Sequence, residues 1–204
     1  MSQSYRSEPE HKIAERNMLR DSDGEIKLPH ISQRKPAPGD IHPLDKITVQ
    51  KILRKTPVKY LYGLRGIELR GREGKRGSLS WGQPLGHYLP TEKTIRLYSI
   101  PIHGTIEGAA LNEVRAEFNS YAKYGYEPEL NKTENKIEYR WPDNIGLGLW
   151  FTQVLFHELG HHFVEQYRYK NSRIKGRDEE ELVANLHKSR LFREEILCIL
   201  KGDN

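Results

Sequence analysis

Leu147-Gly148-Leu149-Trp150-Phe151-Thr152-Gln153-Val154-Leu155-Phe156-His157-Glu158-Leu159-Gly160-His161-His162-Phe163-Val164 is the stretch whose reading decides the fold. Apolar residues fall on nearly every side of a helix drawn through it, the pattern of a central helix covered by the rest of its domain. Within it lies a His-Glu-x-x-His run. Positions four apart share one helix face, so His157 and His161 aim both imidazoles at one point, where a zinc ion takes nitrogen ligands at about 2.0–2.1 Å. Glu158 stands one step around the helix, placed to take a proton from a metal-activated water rather than to ligate. Two imidazoles and a carboxylate are costly to bury in so apolar a segment without partners, and a metal is such a partner. A pair of hydrogen-bonded core histidines is the plainer alternative. The pattern points to a zinc-dependent hydrolase, and among these to a peptidase.

A catalytic zinc usually takes three protein ligands and a water, so two histidines leave one place to fill. After a polar connector over 169–176, Asp178-Glu179-Glu180-Glu181 opens a second helical stretch that runs on through Leu182-Val183-Ala184-Asn185-Leu186. The wording HELGHH over 157–162, followed by ELVAN over 181–185, resembles the ImmA/IrrE-like and minigluzincin-type proteins within the gluzincin group of zinc metallopeptidases. The resemblance covers these two helices and, loosely, a strand hairpin before them; it does not reach the N-terminal quarter. It implies a zincin-like α+β fold with a small mixed sheet packed on the buried metal helix and a second, ligand-bearing helix. It also implies Zn2+ as cofactor, Glu181 as third ligand, and Asn185 orienting a ligating group from behind. Metzincins carry a Gly and a third His further along; Val164 and Tyr167 stand there, which excludes that subclass.

Read from the residues alone, Glu181 has rivals. Asp178-x-x-Glu181 is also the spacing of a capping box, with Asp178 as N-cap and Glu181 reaching back to its N–H. Glu179 and Glu180 would then serve the positive end of the helix dipole. Glu180 is a competing ligand, since Ala184 stands four residues beyond it. A second donor to a developing oxyanion is also needed, and His103, Tyr167, Tyr169 and His187 are candidates without a decisive signal. In peptidases of the resembled kind a sheet-edge strand lies over the cleft, where an extended peptide pairs through main-chain hydrogen bonds. Thr94–Tyr98 is the candidate strand, with an ordinary interior strand as the alternative. A regulatory zinc module that binds a partner protein with little or no turnover is the alternative function. The motif retains the Glu that chemistry needs, which favours the enzyme.

Only 36% of residues are apolar while 30% are charged, so part of the chain is expected not to pack. Residues 1–42 are the candidate: polar, interrupted by Asp21-Ser22-Asp23-Gly24 and Lys35-Pro36-Ala37-Pro38-Gly39, with a short helical pattern over 13–19. Residues 43–204 then form the metallopeptidase domain. A helix is expected over 43–55 and ends at Thr56-Pro57. A strand is expected over 66–70, a loop over 71–84, a hairpin over 85–98 and a helix over 109–121. A further strand is expected over 136–141, with the metal helix starting between Asn144 and Leu149. Terminal helical structure is expected over 178–200.

No run approaches the roughly 18 apolar residues of a membrane span. The start, Met1-Ser2-Gln3-Ser4-Tyr5-Arg6, lacks the apolar core of a secretory signal. The single cysteine, Cys198, allows no internal disulfide framework and fits a reducing compartment, so a cytoplasmic location is expected. Cys198 itself reads as a buried thiol in an apolar helix. The net charge of +5 permits contact with nucleic acid, but no nucleic-acid-binding motif accompanies it. A peptide or protein substrate is the expected partner.

Overall fold

A computed structural model describes residues 27–72, 78–80, 82–122, 124–133, 136–166, 176–191 and 194–202. The helical pattern over 13–19, Tyr167, Tyr169 and most of the polar connector lie outside the described residues. The chain runs through β1 (His30–Gln33), β2 (Asp40–Ile41), α1 (Lys46–Lys55), a 3-10 turn (Val58–Tyr60), β3 (Gly66–Arg70), β4 (Ser78–Ser80), β5 (Gly86–Leu89) and β6 (Thr94–Tyr98). It continues through β7 (Ile100–Pro101), β8 (His103–Glu107), α2 (Leu111–Ala122), β9 (Glu129–Lys132), β10 (Lys136–Arg140), α3 (Asn144–Gln166), α4 (Arg177–Leu191) and α5 (Glu194–Lys201). The fold is α+β. No described helix is long and apolar enough to cross a membrane.

The fold has two small mixed sheets, and the one containing β5 and β6 packs on α3. One has the order β1-β3-β6-β5, with β1, β3 and β6 parallel and β5 antiparallel to β6. The other has the order β4-β8-β10-β9, with only the β4–β8 pair parallel. Asp143 caps the start of α3: its Oδ1 accepts from the N–H groups of Ile145 at 2.8 Å and Gly146 at 3.0 Å. Leu147, Leu149, Phe151, Leu155, Phe156 and Leu159 are all buried along the helix. Burying side chains of this size contributes on the order of 1.5–3 kcal/mol each. Trp150 joins Trp141 and Phe118 in an aromatic cluster, with ring centroids 5.0 Å apart for Phe118–Trp150 and 5.3 Å for Phe118–Trp141. That cluster pins the first turns of α3 to α2 and to the end of β10, which leaves the histidine-bearing turns facing β5 and α4.

Four expectations need correction. Residues 27–42 belong to the folded body, so its edge lies before residue 43. β1 pairs with β3 from His30↔Gly66 to Gln33↔Leu69, and Asp40 is buried. The Asp40 carboxylate holds Arg72 through Oδ2···Nε at 2.8 Å and accepts from Ser99 Oγ at 3.1 Å. Arg72 in turn donates from Nη1 to the Ser78 carbonyl at 2.6 Å. A buried charge pair bonded on this many sides ties the N-terminal strands to the centre of the fold. The second correction concerns the loop over 71–84, which contains β4, a strand too short for alternation to reveal. The third is that Thr94–Tyr98 lies inside its sheet, flanked by β3 and β5, so the edge beside α3 is β5. The last is that Cys198 is exposed, because α5 turns other residues inward.

His187 on α4 is buried against the 3-10 turn, with Nδ1 2.7 Å from Tyr60 Oη and its ring against Phe163. Burial first, then the charges of Arg190 and Lys59, push its pKa down to about 4. The unfolded chain, with an ordinary His pKa near 6.5, takes up this proton before the folded one does. Its contribution to stability is therefore complete above about pH 6.5 and is lost progressively as pH falls toward 4. In denaturant titrations of the metal-free protein, wild type should lose stability relative to His187→Gln across that window. Parallel curves would show that His187 is not held neutral.

Candidate metal centre

Three side chains of α4, Glu180, Glu181 and Asn185, meet His157 and His161 of α3. His157 Nε2 and His161 Nε2 lie 3.0 Å apart. Glu181 Oε2 stands 3.2 Å from His157 Nε2, and Glu181 Oε1 stands 3.5 Å from His161 Nε2. Tetrahedral ligands at about 2.05 Å from a zinc ion are about 3.3 Å from one another. The observed separations bracket that value, and the three donor atoms lie within 4.8 Å of one another. His157, His161 and Glu181 could therefore hold one metal ion.

The next layer orients these donors. Glu180 Oε1 lies 3.3 Å from His161 Nδ1, so this carboxylate supports the ring nitrogen that faces away from the common point. The two adjacent glutamates thus divide the work: Glu181 reaches the donor cluster and Glu180 orients a histidine. Asn185, one turn beyond Glu181, hydrogen-bonds His157 through its side chain. Burial first, then His161, with Lys188 adding to them, lowers the His157 pKa and favours the neutral imidazole that a metal requires. Glu181 is 43% exposed at its side chain, so the cluster opens toward solvent on one side.

Small residues at the centre of the helix contact permit this convergence. A Cβ on Gly160 would lie 2.8 Å from both the Cα and the carbonyl oxygen of Ala184. Backbone meets backbone there, with Gly160 between the two histidines and Ala184 between Glu181 and Asn185. These positions are what the HELGH and ELVAN wording encodes physically.

Glu158 is 7% exposed and points toward β5. Its Oε2 accepts from the Tyr88 N–H at 2.8 Å, which leaves Oε1 for a proton. Burial pushes its pKa up to about 7; the Tyr88 bond works against that rise, and the charge of Glu181 adds to it. A cleft of about 750 Å³ opens onto His157, Glu158, His161 and Glu181. Its wall includes Leu79, Ile106, Trp150 and Val154, and Lys188 lines it from α4.

Among the oxyanion candidates, neither His103 nor His187 lines the cleft: His103 is exposed on β8 and His187 is packed against Tyr60. Sequence reading missed Tyr88, His162 and Lys188. His162 carried a visible signal, since it stands four residues after Glu158 and shares its helix face. No protein family, curated protein or solved structure matches this chain. What the centre can do is read from its own atoms.

Three substitutions test the layout by calorimetry with zinc. Gly160→Ala must push α4 outward; it should cost about 1–3 kcal/mol of stability and weaken zinc binding together. Glu180→Gln should keep the fold and lose roughly 10–100-fold in affinity, whereas Glu181→Gln should lose binding altogether. Equal losses for the two glutamate variants would contradict their separate roles.

Proposed function

We propose that this chain is a zinc-dependent metallopeptidase of zincin-like build, with His157, His161 and Glu181 as ligands and Glu158 as the group that moves protons. The observation that carries the reading is the convergence of those three donors beside a buried carboxylate in an open cleft. When bound, zinc supplies Lewis acidity that makes water nucleophilic near neutral pH. Everything else is work for the chain's own residues.

Glu158 takes the proton of the attacking water at Oε1, because the Tyr88 N–H occupies Oε2. The same oxygen then delivers that proton to the departing amine nitrogen. Substrate lies along β5. The Tyr98 N–H bonds to the Leu85 carbonyl, and Gly86 stands opposite Leu97, so bonding to β6 falls on alternate residues of the strand. Gly86 therefore turns its N–H and carbonyl away from β6, as does the carbonyl of Tyr88. An extended peptide can pair with those groups without regard to its side chains. At Gly86 strand and helix come close: an added Cβ would lie 2.7 Å from Val154 Cγ1. The apolar wall of Leu79, Ile106, Trp150 and Val154 receives a substrate side chain beside the scissile bond.

A peptide or protein is the substrate class this arrangement fits. The lone cysteine supports a reducing, cytoplasmic setting for the reaction.

Glu158→Gln decides the matter when assayed beside wild type on a mixed peptide library with zinc present. The variant should bind zinc as wild type does and lose about 10²–10⁴-fold in kcat. Full retained activity would remove Glu158 from its role, and an inactive wild type that binds zinc tightly would defeat the hydrolytic reading.

A further inference from the structure

Glu158 and His162 stand four residues apart, one turn or about 5.4 Å along the same face of α3. A single residue of β5 meets both. The Tyr88 N–H donates to Glu158 Oε2 at 2.8 Å, and Tyr88 Oη lies 3.0 Å from His162 Nδ1. The other ring nitrogen, His162 Nε2, lies 2.9 Å from the Tyr62 carbonyl. A carbonyl only accepts, so Nε2 carries the ring proton. Nδ1 is then the acceptor and the Tyr88 hydroxyl the donor. The Tyr88 N–H and hydroxyl and both ring nitrogens of His162 have partners, and His162 is wholly shielded from solvent. Such a buried network is costly when any member is left unbonded, so it holds one geometry.

The strand needs that hold. β5 is four residues long and, among the described residues, bonds to one neighbouring strand, β6. On its open side Gly86 allows close approach to α3 but offers no side chain to grip it. Tyr88 supplies the specific ties, one from its backbone and one from its hydroxyl. Both ends of the link rest on fixed points: the interior of α3, and the chain just beyond the 3-10 turn.

We propose that His162 and Tyr88 are positioning residues: their hydroxyl–imidazole bond fixes the height of β5 on α3, so that the Tyr88 N–H holds Glu158 Oε2 and leaves Oε1 to the cleft. This rests on the role given to Glu158 in the proposed hydrolysis. The two residues act through Glu158 and through the strand. The same lock sets where a peptide paired to Gly86 lies relative to the ligand histidines, so proton acceptor and substrate are aligned by one bond.

The test uses the full chain with Tyr88→Phe, His162→Asn and the double variant. Phenylalanine at 88 keeps the ring and removes one hydroxyl; His162→Asn attacks the same bond from the other side should either variant fold poorly. Hydrogen exchange in the metal-free protein is the first readout. The amide at position 88 should exchange at least tenfold faster in each variant, while the amides of β3 and β6 keep wild-type rates. In the zinc-loaded protein kcat should fall at least tenfold with zinc affinity unchanged, and the double variant should be no worse than the weaker single one. A purely structural contact would lower thermal stability without moving kcat, and that result would overturn the proposal. Unchanged exchange at position 88 would overturn it as well. Wild type that binds zinc yet hydrolyses no peptide would instead defeat the metallopeptidase reading, and exchange at position 88 would still decide whether the lock exists.

Discussion

Contact between the backbones of α3 and α4 at Gly160 and Ala184 is the constraint on which the rest of the molecule depends. With a Cβ-to-backbone clearance of 2.8 Å, no residue larger than glycine fits at 160 without displacing α4. At that spacing, side chains on either side of the contact reach each other across the seam. His157 and His161 come from above and below position 160, and Glu181 and Asn185 from above and below position 184. Metal sites tolerate displacements of only about 0.5 Å, so the interaxial distance of this pair governs whether three donors can share an ion. The aromatic cluster at the N-terminal end of α3 and the strands beneath it serve the same end by holding the helix still.

Charge favours a cation at this point. Glu158, Glu180 and Glu181 approach one another within a partly enclosed cleft, and the charge of Glu181 raises the pKa of Glu158. Like charges at this proximity oppose folding unless something offsets them. Lys188 contributes from the same face of α4 but also disfavours a charged His157. A divalent ion at this point would relieve the carboxylate repulsion and use the His157 imidazole in the neutral form that burial favours. Ligand binding of this kind stabilises the folded state by mass action.

The helix, its motif and most element positions were legible because periodicity and capping are local properties. Strands Gly66–Arg70 and Thr94–Tyr98 and the start of α3 at Asn144 match expectation for that reason. Sheet order was not legible. Alternation looks the same in an interior and an edge strand, so nothing in Thr-Ile-Arg-Leu-Tyr says that β5 covers one side of it. β1, His-Ile-Ser-Gln, carries too little apolar pattern to be read as a strand; it is recruited by pairing with β3 and by the buried Asp40–Arg72 bond, both set by distant residues. At the centre, the choice between Glu180 and Glu181 depends on a rotation of one residue about α4, which spacing alone does not resolve. Tyr88 was invisible because its part is played by a backbone N–H, which every residue but proline owns.

The most direct test of the account is a crystal structure of the zinc-loaded protein with anomalous scattering recorded at the zinc edge. One peak should lie among His157 Nε2, His161 Nε2 and the Glu181 carboxylate at bonding distance, with Glu180 outside bonding reach of the ion. A zinc peak elsewhere on the molecule, or none in crystals grown with excess zinc, would contradict it.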